Sequence, residues 1–133
     1  MIIPAIWAPR LLAVLRIVTA LLFLEHATMK FLSFPAPLPG APHPLPAMVI
    51  AAGLIEAVTG TLITLGLFTR VAAFVASGEM AVAYFTAHLP RSFWPAVNQG
   101  ELAILYCFIF LYLSAAGGGA WTLDALRMSR KPG

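Results

Sequence analysis

The fold class that this sequence predicts is all-α, an integral membrane four-helix bundle, up-down and antiparallel, with N and C termini cytoplasmic. Three observations lead there: an apolar content far above that of a soluble domain, four apolar runs of spanning length, and proline- or glycine-rich breaks between them. Of 133 residues, 61% are hydrophobic and 10% charged. Soluble domains run nearer ~45–50% and ~25%. Eight Lys+Arg, five Asp+Glu and three His cannot clothe a 14.2 kDa particle in water, and the mean hydropathy of +0.92 agrees. A soluble monomer, a disordered chain and a nucleic-acid binder are excluded. What remains is one small membrane domain over 1–133, with the lipid bilayer as its first partner.

The first run, about 11–31, is interrupted by Arg16, Glu25, His26 and Lys30. The second, 47–68, has Glu56 as its one charge, the third, 71–89, holds Glu79 and His88, and the fourth, 98–116, has Glu101 near its start. Each is close to the ~17–25 residues that cross ~30 Å of hydrocarbon. Backbone amides in lipid must be satisfied within the segment, so the runs are expected to be helices. Seven residues of the 35–46 stretch are Pro or Gly (Pro35, Pro37, Pro39, Gly40, Pro42, Pro44, Pro46), which predicts a stiff, extended outer loop. Gly66–Arg70 predicts a tight turn, Leu89–Pro95 the third connection, and Gly117–Gly119 the end of the last span, leaving a cytoplasmic tail over 117–133. Short connections between sequential helices imply antiparallel neighbours. The leading Met1–Pro9 is apolar rather than basic and no small-x-small site follows the first run, so that run is read as a membrane helix, not a signal peptide.

Basic residues set the expected orientation. Arg10, Arg16, Arg70, Arg127, Arg130 and Lys131 share one side, against Lys30 and Arg91 on the other, which places the first group in the cytoplasm. The net charge of +3 and pI near 9.5 express that bias rather than a partner. Trp7 and Trp121 then fall at the inner interface and Trp94 at the outer. The expected location is the bacterial cytoplasmic (inner) membrane, as a multi-pass protein.

The candidate site comes from the acids. Four of five lie one per span: Glu25, Glu56, Glu79 and Glu101. An ionisable group at the bilayer centre costs at least ~2.5–3.5 kcal/mol, so it tends to face the bundle and a partner. On the expected topology these acids, with His26 and Lys30, fall mainly in the outer half and suggest an outward-opening polar pocket. Arg16, in the inner half, is expected to snorkel to the cytoplasmic headgroups. His26 and Lys30, four apart, share a helix face, with Glu25 turned about 100° from His26. Gly53, Glu56 and Gly60 recur at spacings of three and four, and Ala72, Ala76, Glu79, Ala83 and Ala87 form a similar stripe. Such stripes allow close helix approach, and the acids on them can equally be interhelical glue. The ligand-binding candidates are therefore His26, Lys30, Glu25, Glu56, Glu79 and Glu101; no catalytic residue is assigned. His43 and His88 are read as ordinary interfacial residues.

A metal site is not expected, because no Glu has a His three residues on, as helical di-iron sites require. No GxGxxG, P-loop, nucleophile elbow or HExxH occurs. The single Cys107 excludes an internal disulfide, a CxxC pair and cysteine-based metal sites, and it reads as a small buried hydrophobe. No cofactor is evident in the chain itself.

Several stretches resemble the DoxX family of small bacterial membrane proteins. Glu25–Phe31 is similar to its His-Gly-x-x-Lys segment; Gly53–Glu56, with Gly60 and the run Leu65–Ala73, is similar to its second-span signature and Gly-Leu-x-x-Arg turn. Glu79–Ala83, Asn98–Glu101 and Gly117–Asp124 complete the set, which spans about Arg10 to Arg127. Ala27 stands where the family usually has Gly, and Gly118 where Pro is common. The resemblance implies a four-helix inner-membrane protein with both termini inside. Some relatives are subunits of a thiosulfate:quinone oxidoreductase, and others accompany thiol-oxidising or antioxidant proteins. Three functions are therefore expected as alternatives. The first is a redox-linked, quinone-interacting subunit of a membrane oxidoreductase complex, with His26 and Lys30 on a quinone oxygen and Glu56, Glu79 or Glu101 moving protons. The second is a non-catalytic lipid- or small-molecule-binding or assembly protein, and the third a small transporter. A redox partner subunit and a homo-oligomer are the expected protein partners.

Overall fold

Pro9 sits in the first turn of a helix, where its missing amide hydrogen costs nothing. In the computed structural model, which describes residues 2–132, that helix is α1, Ala8–Leu32, preceded by a 3-10 turn over Ala5–Trp7. It is longer than the 11–31 run because Pro9 and Arg10 fit a helix start. Met1 and Gly133, the ends of the single domain expected over 1–133, lie outside the described residues. α1 ends where Ser33 turns left-handed (φ 52°) and Phe34 N donates back to Thr28 O. The proline-rich segment that follows is non-helical, with a turn closed by Ala41 N on Leu38 O.

α2, Ala47–Leu65, stops three residues short of the expected boundary. Gly66 adopts φ 69° and its amide, with that of Leu67, closes on Ile63 O and Leu62 O. That is a left-handed C-cap, open to glycine without strain. α3, Thr69–Ala83, continues through a π turn, Tyr84–His88, and a 3-10 turn, Leu89–Arg91. A short helix α4, Pro95–Asn98, precedes α5, Glu101–Ala116. The fourth apolar run thus begins its long helix at Glu101, not at 98. Gln99 is left-handed (φ 60°), and the buried Asn98 side chain accepts from Gly100 N while donating to Ser92 O (2.9 Å) and Tyr84 Oη (3.3 Å). No strand occurs among the described residues.

α1 packs on α2, α2 on α3, and α3 most extensively on α5. The centre is aromatic and small-residue: Phe23 meets Tyr106 and Phe110 edge-on, with ring centroids 5.5 and 4.9 Å away, around Ala20, Ile63, Ala73 and Ala76. Ser77 Oγ donates to Cys107 O (2.7 Å) across the α3–α5 seam, with the half-buried thiol beside it. Large apolar side chains such as Leu21, Val58, Phe74 and Phe108 point outward, while Arg16, Glu56, Thr69 and Asn98 are buried. Water-soluble proteins rarely bury unpaired charge or expose contiguous apolar faces. This distribution suits a hydrocarbon solvent.

The tail departs furthest from expectation. It contains a sixth helix, α6, Leu123–Ser129, and it is held against the rest of the chain. Arg16 does not snorkel. It is fully buried, and its guanidinium donates to Gly118 O, to Ala120 O (3.1 Å) and to Trp121 O (3.0 Å). Hydrogen bonds to a charged group contribute ~1.5–3 kcal/mol each, so three carbonyls on one guanidinium outweigh reaching for headgroups. Asp124 accepts from Phe68 N (2.8 Å), Thr69 N (3.0 Å) and Thr69 Oγ1 (2.9 Å), which caps the first turn of α3 from the far end of the chain.

Burial pushes the Asp124 carboxyl up, but the Thr69 and Phe68 amides, the Thr69 hydroxyl and the Arg127 charge outweigh it and hold it below its ordinary value. Its contribution is therefore complete above the unfolded value of ~3.9 and is lost as pH falls through the lower folded value. Asp124→Ala is expected to loosen α6 at neutral pH by about 0.5–2 kcal/mol, as loss of a helix cap does. Hydrogen exchange at Leu123–Ser129 checks this: the wild type should match the variant only on acidification below about pH 4.

Candidate functional site

Gly53 lies three residues before Glu56 on one face of α2, and α1 lies against it. A Cβ at Gly53 would stand 2.7 Å from Phe31 Cζ and 3.1 Å from Lys30 Cδ. The missing side chain thus lets Lys30 lie along α2, where its Nζ donates to both Glu56 oxygens, at 2.8 and 2.6 Å. The two side chains are 10% and 3% exposed. Such a pair offsets its desolvation only with good geometry, which two short contacts to one ammonium supply.

The pair forms part of the wall of a cavity of about 650 Å³ between α1, α2, α3 and α5. Volumes of ~300–1,000 Å³ with apolar walls and few polar groups are typical of small-molecule sites. His26 lines it from α1 with its ring edge-on to Tyr106 (5.9 Å between centroids, 87°). Glu79 lines it from α3, and its Oε2 atom is buried with no hydrogen-bond partner among the described residues. Ala52, Ile55, Val75, Ala83 and Leu102 supply much of the apolar wall, and Leu38 of the proline-rich loop reaches its rim. The π turn brings Thr86 and His88 to the cavity, with His88 Nδ1 3.1 Å from Asn98 O. Single π turns in helices are frequent at functional sites.

Of the six candidates, His26, Lys30, Glu56 and Glu79 come together on this cavity. Glu25 and Glu101 do not line it, and both are exposed. Glu25 sits a residue away from His26 around the α1 axis, and Glu101 is in the first turn of α5, where the helix dipole favours a carboxylate. Tyr106 was not among the expected site residues. Its signal was present in the spacing Ala103–Tyr106–Phe110–Leu113, one buried stripe of α5. Among the described residues no group of three His, Cys, Asp or Glu is placed to hold a metal ion.

A second cavity, of about 670 Å³, lies toward the start of α1, between Pro9, the α2–α3 turn, Gly117–Gly119 and α6. Arg127 stacks over Phe68 at its edge, 4.3 Å from the ring centroid.

The DoxX family model matches residues 11–89 of this chain, a stretch that includes His26, Lys30, Glu56 and Glu79. The chain belongs to the DoxX family. An uncharacterized protein of Haemophilus influenzae is 48% identical over 122 residues, covering 89% of this chain and 91% of that protein. No solved structure matches the chain. Within this DoxX protein the segments that carried the resemblance meet in pairs. His26–Lys30 meets Gly53–Glu56 at the cavity, and Gly66–Arg70 meets Gly117–Asp124 at the docked tail. Two helices of this DoxX chain, Ala5–Leu32 and Ala47–Leu65, are long and apolar enough to cross a membrane, and Glu101–Ala116 is a shorter apolar helix.

The ion pair gives a direct test. Lys30→Met strands the Glu56 carboxylate and is expected to cost about 3–5 kcal/mol, whereas Lys30→Met with Glu56→Leu should recover most of that loss. Unfolding of the purified protein in mixed micelles against rising SDS measures both.

Proposed function

We propose that this DoxX protein is a multi-pass protein of the bacterial cytoplasmic membrane, with α1, α2, α3 and α5 crossing the bilayer as an up-down bundle and both termini in the cytoplasm. The outward-facing apolar side chains and the six-to-two bias of basic residues support this reading. α3 and its π turn together make 20 residues, roughly 30 Å at helical rise. Fusions to alkaline phosphatase and to a green fluorescent protein test the topology. Phosphatase activity is expected only after the 33–46 and 89–100 connections, and fluorescence only at the 66–68 turn and the C terminus. The opposite pattern overturns it.

The cavity then lies in the outer half of the bilayer, and we read it as the site of a lipid-soluble, quinone-type ring in a redox-linked subunit of a membrane oxidoreductase complex. One observation carries this reading: an apolar cavity of about 650 Å³ whose polar groups, His26, Glu79 and the Lys30–Glu56 pair, are few and converge on it. A quinone held there would supply two-electron chemistry. The chain's residues would bind and orient the ring, exclude water from it and move protons to or from its oxygens. The electrons come from a partner subunit of dehydrogenase or flavoprotein type.

Purification from native membranes in mild detergent, followed by mass spectrometry of co-eluting small molecules and polypeptides, tests the proposal. A quinone together with a redox protein is the expected result. Phospholipid alone, with no binding of an added short-chain quinone, overturns it in favour of a lipid-binding or assembly role. Ion flux in liposomes that is lost in Glu79→Gln would point instead to a transporter.

A further inference from the structure

Two buried side-chain atoms, Arg16 Nε and Glu79 Oε2, have no hydrogen-bond partner among the described residues; Arg16 is held by its other nitrogens on three tail carbonyls, whereas Glu79 faces the cavity. Lys30 is committed to both oxygens of Glu56. That pair is neutral as a whole and asks nothing of a ligand. Glu79 Oε2, by contrast, is buried without a partner among the described residues, on the wall of the same cavity. Its α3 neighbours on that wall, Val75, Met80, Val82 and Ala83, are apolar, and the charges that act on it from α1 and α2 are those of the Lys30–Glu56 pair. Leaving a buried polar atom unsatisfied destabilises a fold, so an α3 face that served only as a packing seam would carry an apolar residue here.

We propose that Glu79 is the polar anchor of the ligand in this cavity, hydrogen-bonded to a ring oxygen of a lipid-soluble quinone or quinol. The assignment rests on the reading of the cavity given above, and it moves the anchoring role from His26 and Lys30, where the sequence put it, to Glu79. A carboxyl group is suited to the role in a way an ammonium is not. With its proton it donates to a carbonyl oxygen, and without it accepts from a hydroxyl, so one side chain holds both the oxidised and the reduced ring. Lys only donates, and here both its short contacts are spent. His26, edge-on to Tyr106, lines the cavity from α1 as a second polar contact. The 650 Å³ volume accommodates a substituted ring with the start of an isoprenoid tail.

The test uses the full chain in lipid nanodiscs, titrated with decylubiquinone, alongside Glu79→Leu and Glu79→Gln. The wild type is expected to bind. Glu79→Leu should bind at least tenfold more weakly while its melting temperature without ligand stays equal or rises, because the variant removes an unsatisfied polar atom. Glu79→Gln, which also donates and accepts, should bind within about threefold of wild type. Three results overturn the assignment while sparing the cavity reading. These are Glu79→Leu binding as wild type does, Glu79→Leu melting lower than wild type, which marks Glu79 as structural, and Glu79→Gln binding as weakly as Glu79→Leu, which marks a dependence on the carboxylate charge rather than on a hydrogen bond to the ring. A wild type that binds no decylubiquinone overturns the cavity reading and the assignment with it.

Discussion

Lys30 crosses from α1 to α2 and places its ammonium between the two oxygens of a carboxylate that is itself almost wholly enclosed. In a chain with so few charges, and with apolar side chains turned outward, neither partner has water to fall back on. Much of the cavity end of the molecule follows from this one contact. It requires α1 and α2 to approach closely, which Gly53 permits. It fixes the rotation of α1, so that His26, one turn earlier, faces the cavity while Glu25 does not. It also removes the strongest positive charge from the list of groups free to meet a ligand.

The opposite end follows the same constraint with different chemistry. Among the described residues Arg16 forms no ion pair; three backbone carbonyls of the tail bind it, and Asp124 serves the free amides at the start of α3. Gly118 and Gly119 make this possible by steric absence. A Cβ at Gly118 would come within 2.8 Å of Arg16 Nη1, and one at Gly119 within 2.5 Å of Pro9 O. Two buried polar atoms, Arg16 Nε and Glu79 Oε2, are left without a hydrogen-bond partner among the described residues, and of these two residues it is Glu79 that lines the cavity between α1, α2, α3 and α5.

The sequence made the helices legible because hydrophobic run length and proline or glycine punctuation are local properties. Boundaries shifted where a side chain from elsewhere intervened, as at Asn98, or where a left-handed residue ended the turn early, as at Gly66. The pairing of Lys30 with Glu56 was only half visible. Both residues were singled out, yet nothing in the spacing of α1 indicates which acid lies opposite. The fate of Arg16 was not visible at all, since its acceptors are backbone atoms 102 to 105 residues later and any residue type supplies a carbonyl. Glu25 and Glu101 shared the composition signal of the other acids but not their helix face. An unsatisfied atom such as Glu79 Oε2 is a property of three-dimensional packing and has no counterpart in the sequence.

The docking of the tail on Arg16 also has a consequence for biogenesis. At roughly 5–20 residues per second, the ~100 residues between Arg16 and its acceptors take on the order of 5–20 s to synthesise. Throughout that interval, in the membrane topology proposed above, α1 enters the bilayer with a guanidinium whose final partners do not yet exist. Its long side chain then reaches toward the cytoplasmic headgroups, as the sequence suggested. The inward turn onto Gly118, Ala120 and Trp121 comes only when α5 and the segment just after it have been delivered. The first helix to be inserted is therefore the last to be finished, and a chain truncated before Gly118 leaves its earliest segment without the contacts that lock it.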